Sequence, residues 1–211
     1  GSSARYWTDD LLPADPPRSM VFPEVATTTR VCAYDRPGTI AFVGEDLFVS
    51  RSDPIAQPTT FMAIVAELHA LLQAAGVPGP YVLAGHSNGG FVSRMYASTY
   101  PDEVVGMVLI DAYSEFLEPI FGPERWPRLV AFNAQSSVVV PIPGYGDAET
   151  VPYASGDAHM RQLTATSPLR PMPLAVLAHG RPFALPEDPA LNQGFTSEEI
   201  EPLLFAANQA Q

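Results

Sequence analysis

Gly85-His86-Ser87-Asn88-Gly89-Gly90, set between Tyr81-Val82-Leu83-Ala84 and a helix-periodic run from Phe91 to Tyr100, decides how this chain is read. A strand that turns abruptly into a helix holds the side chain at the turn clear of the backbone, and a serine hydroxyl held that way can attack a carbonyl. The glycines suit such a turn. Gly85 and Gly89 remove side chains expected to crowd each other on either side of Ser87, and Gly90 lets the new helix start close to the sheet. Ser87 is the expected nucleophile of a serine elbow.

Working outward, strand-like and helix-like segments alternate, which predicts a parallel sheet with helices on both faces. Arg30 to Tyr34 reads as the first strand, followed by Asp35-Arg36-Pro37-Gly38 and a turn-rich loop through Pro58. Thr59 or Thr60 caps the next helix, in which Phe61, Ile64, Val65, Leu68, Leu71, Leu72 and Ala75 repeat at helical spacing before Gly76 and Pro78 stop it. Tyr81 to Ala84 is a buried strand, Asn88 to Thr99 the elbow helix, and Val104 to Ile110 a further buried strand that ends in Asp111. Residues from about 113 to 170 turn irregular and proline-rich, with Trp126, Phe132, Val138 to Pro143 and Gly144-Tyr145-Gly146, and predict a lid inserted over the carboxyl edge of the sheet. Leu174 to Ala178 is the last strand in view. Thr196-Ser197-Glu198-Glu199 has the form of a capping box, with Pro202 leaving the helix start open.

Length and charge bound the rest. With 211 residues and 46% hydrophobic content, one domain covering 1–211 is expected. Eleven basic against 23 acidic residues give a net charge of -12, which repels phosphate backbones and excludes nucleic acid as an expected partner. The one cysteine, Cys32, rules out an internal disulfide and reads as a buried, inert thiol in a strand. No run reaches the length of a membrane span, no metal-ligand cluster or cofactor motif is evident, and compartment and oligomeric state stay open.

The elbow, together with Val31-Cys32-Ala33-Tyr34-Asp35-Arg36-Pro37-Gly38, Val77-Pro78-Gly79-Pro80-Tyr81-Val82-Leu83 and Tyr96-Ala97-Ser98-Thr99-Tyr100-Pro101-Asp102-Glu103-Val104 running on to Leu109-Ile110-Asp111-Ala112, resembles the α/β-hydrolase superfamily, in particular bacterial esterase-like or aminopeptidase-like members. The resemblance covers about Arg30 to Ala112. It implies hydrolysis of a small-molecule ester or amide through an acyl-enzyme on Ser87, without a cofactor or metal. The backbone N–H of Asn88 is then one oxyanion-hole donor, while its side chain either caps the helix or meets substrate. For the acid, Asp111 is preferred, with Glu187 and Asp188 as the alternative after the last strand. His179, at the end of that strand, is the one histidine placed to act as base. His86 should point away from the hydroxyl, His69 lies off its helix's apolar stripe, and His159 falls in the lid.

The resemblance also implies an earlier strand ending in an oxyanion loop, and a late histidine after a final strand. Neither is found here, so a chain truncated at both ends is expected. The competing reading is a non-catalytic α/β-hydrolase-fold binding protein, or an inactive fragment without the catalytic histidine.

Overall fold

The computed structural model describes residues 3–8, 20–43, 46–49, 53, 55–135, 151, 153–182 and 184–211. The chain divides into two compact units, one formed by residues 1–59 with 139–151 and the other by 60–138 with 152–211.

In the first unit, two short helices, α1 (Arg5–Thr8) and α2 (Val21–Ala26), precede the strands β1 (Ile40–Val43) and β2 (Asp46–Val49). The strands pair antiparallel, Ile40 opposite Val49 and Val43 opposite Asp46, so the region read as a turn-rich loop contains a hairpin. Ile40 to Val43 and Leu47 to Val49 are short apolar runs long enough for such a pair, and the loop reading overlooked them. The Asp35-Arg36-Pro37-Gly38 turn is present: Thr39 donates its N–H to the Arg36 carbonyl at 3.0 Å, and Gly38 takes a φ of 77°. Arg30 to Tyr34, predicted as a strand, forms no ladder among the described residues, and Cys32 is exposed rather than buried. Its composition suits a strand, but a strand exists only where a neighbour accepts its backbone hydrogen bonds.

The second unit carries the parallel sheet. Helix α3 (Phe61–Ala74) leads to β3 (Tyr81–His86), then α4 (Asn88–Thr99), β4 (Val104–Ile110), α5 (Leu117–Gln135), α6 (Tyr153–Thr166), β5 (Leu174–Leu177), α7 (Pro189–Asn192) and α8 (Ser197–Gln209). Strand order is β3-β4-β5, all parallel, with His86 beside Ile110 and Ile110 beside Leu177. The carboxyl ends of the three strands therefore lie side by side, at the edge where open α/β sheets place their ligands.

Local signals set the element ends. Thr60 caps α3 by accepting the Ala63 N–H at 3.1 Å, worth about 1 kcal/mol. Thr196 caps α8 through Glu199 N–H at 3.2 Å, while the Glu199 carboxylate goes to Arg128 and Arg125. Helix α8 thus starts at Ser197 and carries Pro202 inside it. Helix α4 is buried from Gly90 through Ser98, on all sides. It packs on β3 and β4, with α3 and α6 against it, and the Phe61 and Phe91 rings meet edge to face at 4.7 Å. Strand β3 alternates, leaving Val82 65% exposed, where a buried strand was expected. No helix of the described residues is long and apolar enough to cross a membrane.

Among its described residues, the segment read as an irregular lid is largely helical. Pro123 and Pro127 fall inside α5, where Gly122 takes φ 72° and ψ 175° and breaks the helix into two pieces. A proline is tolerated in the first turn of a new helix, and Pro123 follows that break directly. Leu117, Phe121 and Leu129 of α5 form a core with Phe195, Ile200 and Ala207, with Trp126 and Phe132 packed against it. Burial among themselves is what these aromatic residues do. The run Val138 to Pro143 and Gly144-Tyr145-Gly146 lie outside the described residues.

Candidate active site

Ser87 sits between β3 and α4 with φ 52° and ψ -124°, a backbone conformation that costs an L-residue on the order of 1–3 kcal/mol. Surrounding hydrogen bonds hold it there. Its N–H donates to the Ile110 carbonyl at 3.1 Å, and its carbonyl accepts from Gly90 N–H at 3.1 Å and Tyr113 N–H at 3.0 Å. A Cβ on Gly85 would lie 2.3 Å from the Gly89 carbonyl group and 2.4 Å from Gly90 N, all backbone atoms that cannot turn away. A Cβ on Gly90 would meet that of Ala112 at 2.3 Å. Gly89 differs: a Cβ there meets nothing within 4 Å. Clearance is needed on one side of Ser87, at Gly85, where the predicted crowding involved both glycines.

Asp111 and His179 come together from two neighbouring strand ends. His179 Nδ1 lies 2.8 Å from Asp111 Oδ1, the same oxygen that accepts the His179 backbone N–H at 3.0 Å. Asp111 is held in place by its own backbone, which takes φ 40° and donates to the Leu177 carbonyl at 2.8 Å. Asn208 of α8 places its Nδ2 3.5 Å from the same carboxylate oxygen. Carboxylate on Nδ1 is the side of the ring that an orienting acid uses.

The other ring nitrogen is occupied. His179 Nε2, the atom that would take a serine proton, lies 2.6 Å from Glu201 Oε2 on α8. Hydrogen bonds to Glu201 and to Asp111 raise the His179 pKa above that of an ordinary histidine. Only the doubly protonated ring can donate to both carboxylates at once, and in that form it cannot accept a further proton. Glu201 was not anticipated. It lies 22 residues from His179 in an acidic helix start, and no spacing rule connects the two.

Asp188, Asp35 and His69 have structural partners. Asp188 caps the short helix α7 by accepting Ala190 N–H at 2.9 Å. Asp35 accepts Ala4 N–H at 2.7 Å. His69 Nε2 lies 3.0 Å from Glu103 Oε1, and the ring stacks on Tyr100 at 4.1 Å. Among the described residues no group of three or more His, Cys, Asp or Glu side chains could hold a metal ion.

Two buried polar groups beside the elbow helix were also missed. Arg94 of α4 makes a two-pronged ion pair with Glu115, at 2.6 and 2.8 Å, with both side chains under 5% exposed. Asp157 of α6 is 1% exposed, accepts the Tyr113 hydroxyl at 2.9 Å on Oδ2, and has no partner on Oδ1. Desolvation lifts its pKa to about 6, against the lowering effects of Tyr113 and Arg161. A polar residue within an otherwise apolar helix face, such as Arg94, is the one sequence signal that could have flagged the first.

Comparison with known proteins agrees with this architecture. The family model described as alpha/beta hydrolase fold matches residues 14–136, more than half of the chain. The chain is 37% identical over 94 residues to an uncharacterized protein of Schizosaccharomyces pombe, a match covering 44% of this chain and 16% of that protein. It is 42% identical over 72 residues to the lipase LipV of Mycobacterium tuberculosis, covering 34% of this chain and 27% of the lipase. Each match thus spans well under a third of the curated relative. A crystal structure of a probable hydrolytic enzyme from Pseudomonas aeruginosa covers 78% of this chain and 60% of its own at 21% identity, with a TM-score of 0.39. By the family match over more than half its length, the chain belongs to the alpha/beta hydrolase fold family.

Proposed function

We propose that the protein is a serine hydrolase that cleaves a small carboxylic ester or amide through an acyl-enzyme on Ser87. The observation that carries this reading is the strained Ser87 backbone at the strand-to-helix turn, braced by hydrogen bonds to Ile110, Gly90 and Tyr113. Strain of this kind persists only where the surroundings over-determine it, and it clusters at functional sites. The name of LipV, a lipase, supports the same reaction class.

In the proposed step Ser87 Oγ attacks the carbonyl carbon, and its proton passes to Nε2 of neutral His179 while Asp111 orients the ring through Nδ1. The Asn88 backbone N–H, following the nucleophile at the start of α4, steadies the oxyanion. The bond to the leaving alcohol or amine breaks, and that group takes the proton from His179. Water then attacks the acyl-enzyme, gives a proton to His179, and releases the acid as Ser87 recovers its own.

The test is labelling of the full chain with a serine-directed fluorophosphonate, read by peptide mass, beside turnover of short p-nitrophenyl esters. Labelling confined to Ser87 and lost in Ser87→Ala is expected. Absence of both labelling and turnover between pH 6 and 9 overturns the proposal. A second reading, a hydrolase-fold binding protein without catalysis, is favoured by Glu201 occupying His179 Nε2. It predicts that esters raise the melting temperature without being turned over at any pH.

A further inference from the structure

His179 is hydrogen-bonded to a carboxylate at both ends of its ring, Asp111 at 2.8 Å and Glu201 at 2.6 Å. A neutral imidazole carries one N–H, so only the doubly protonated ring can donate to both. Loss of one proton leaves a nitrogen lone pair facing a carboxylate, and one of the two contacts has to open.

The Asp111 contact is anchored by more than the ring. Asp111 Oδ1 also receives the His179 backbone N–H, and the Asp111 backbone is tied to Leu177, so ring, strand end and carboxylate form one unit. Glu201 reaches in from a different element, α8, and meets Nε2. Two further groups stand at this corner. His86, at the end of β3, senses the Asp111 charge, and that charge favours its cationic form against a larger opposing desolvation. Asn208 brings an uncharged amide. Two carboxylates thus face one ring, with its side chain 29% exposed and within reach of solvent protons.

We infer that Glu201 is a proton-operated latch on His179, closed while Nε2 carries a proton and tying α8 to the end of β5, and open once that proton leaves to solvent. The latch stands on these side chains alone. Its catalytic consequence, that Nε2 becomes an acceptor for the Ser87 proton only after Glu201 lets go, rests on the function proposed above.

Titration of the full chain carrying nitrogen-15 histidine, followed by NMR together with amide exchange in α8, tests the latch. Wild type should show His179 titrating above free histidine, Nε2 as the nitrogen that loses its proton, and α8 exchange rising through the same midpoint. Glu201→Gln should move the midpoint to lower pH and uncouple α8 exchange from it, with Glu201→Asp, which shortens the reach, shifting it the same way. An unchanged midpoint in both variants, proton loss from Nδ1, or α8 exchange indifferent to the titration overturns the latch. Fluorophosphonate labelling separates the two ideas. Faster labelling of Glu201→Gln than of wild type at pH 6 supports the catalytic consequence, and equal rates reject it. Neither labelling nor ester turnover in either protein between pH 6 and 9, beside the expected titration, rejects the function and leaves the latch intact.

Discussion

The elbow and the corner around His179 stand at adjoining strand ends of one sheet, yet they are built in opposite ways. At the elbow the decisive atoms are backbone: Ser87 is braced by main-chain hydrogen bonds, and the space it needs is cleared by the missing Cβ of Gly85. At the corner the decisive atoms are ionisable side chains from residues 22 and 68 positions apart, each partly open to solvent. The position of Ser87 is therefore a property of chain geometry and indifferent to pH. The state of the His179 ring depends on the solution.

Arg94 offers the hardest test of that contrast, because it belongs to the elbow helix but is held by a distant side chain. Glu115→Ala should destabilise the protein by about 3–5 kcal/mol in urea unfolding, since it leaves a guanidinium buried without its counter-charge. Replacing both partners with Met and Leu should recover most of the loss; if it does not, the pair contributes more than mutual neutralisation. At the elbow itself, Gly85→Ala should cost about 3 kcal/mol, because its Cβ would press on backbone. Gly89→Ala should change stability by less than about 1 kcal/mol, in the favourable direction, as alanine suits a helix better. Equal costs at the two glycines would refute the one-sided clearance.

Asp157 brings pH dependence into the buried layer. Its folded pKa of about 6 lies above that of a free aspartate, so the folded state binds the proton more tightly and loses stability as pH rises from about 4 through 6. Asp157→Asn should be little different from wild type at pH 4 and more stable by about 2–3 kcal/mol at pH 8, compared by urea unfolding at both. A gap independent of pH would show that Asp157 titrates normally. The smallest effect belongs to the corner. Its raised His179 pKa gives stability that is fully present below about pH 6.5 and lost as pH rises through the folded value. Because the ring is partly exposed, the change should be about 1 kcal/mol or less, and 1 M salt should reduce it. Thermal unfolding of wild type against His179→Ala over pH 5 to 9 measures it.

The same contrast explains what could be read from residue order. The elbow, α4 and β4 were legible because glycine placement, apolar runs and a helix pattern are local, and Asp111 and His179 were legible as residues that end strands. Glu201 was not, since its approach to His179 depends on how α8 crosses the end of β5. Arg30 to Tyr34 misled because strand composition does not create a pairing partner, and the proline-rich stretch misled because Gly122 restarts a helix just where Pro123 can begin one. Cys32 followed the strand that failed to form.

The carbonyl and N–H of Ser87 grip both sides of one short segment: Ile110 below Asp111 and Tyr113 beyond it. Asp111, with its left-handed backbone, is thus yoked to the serine by two main-chain hydrogen bonds that bracket it. Neither residue can swing without pulling on the other. A ligand that nudges the Ser87 backbone would be felt at the Asp111 carboxylate, and mechanical load at the histidine corner would travel back along the same two bonds to the hydroxyl-bearing turn.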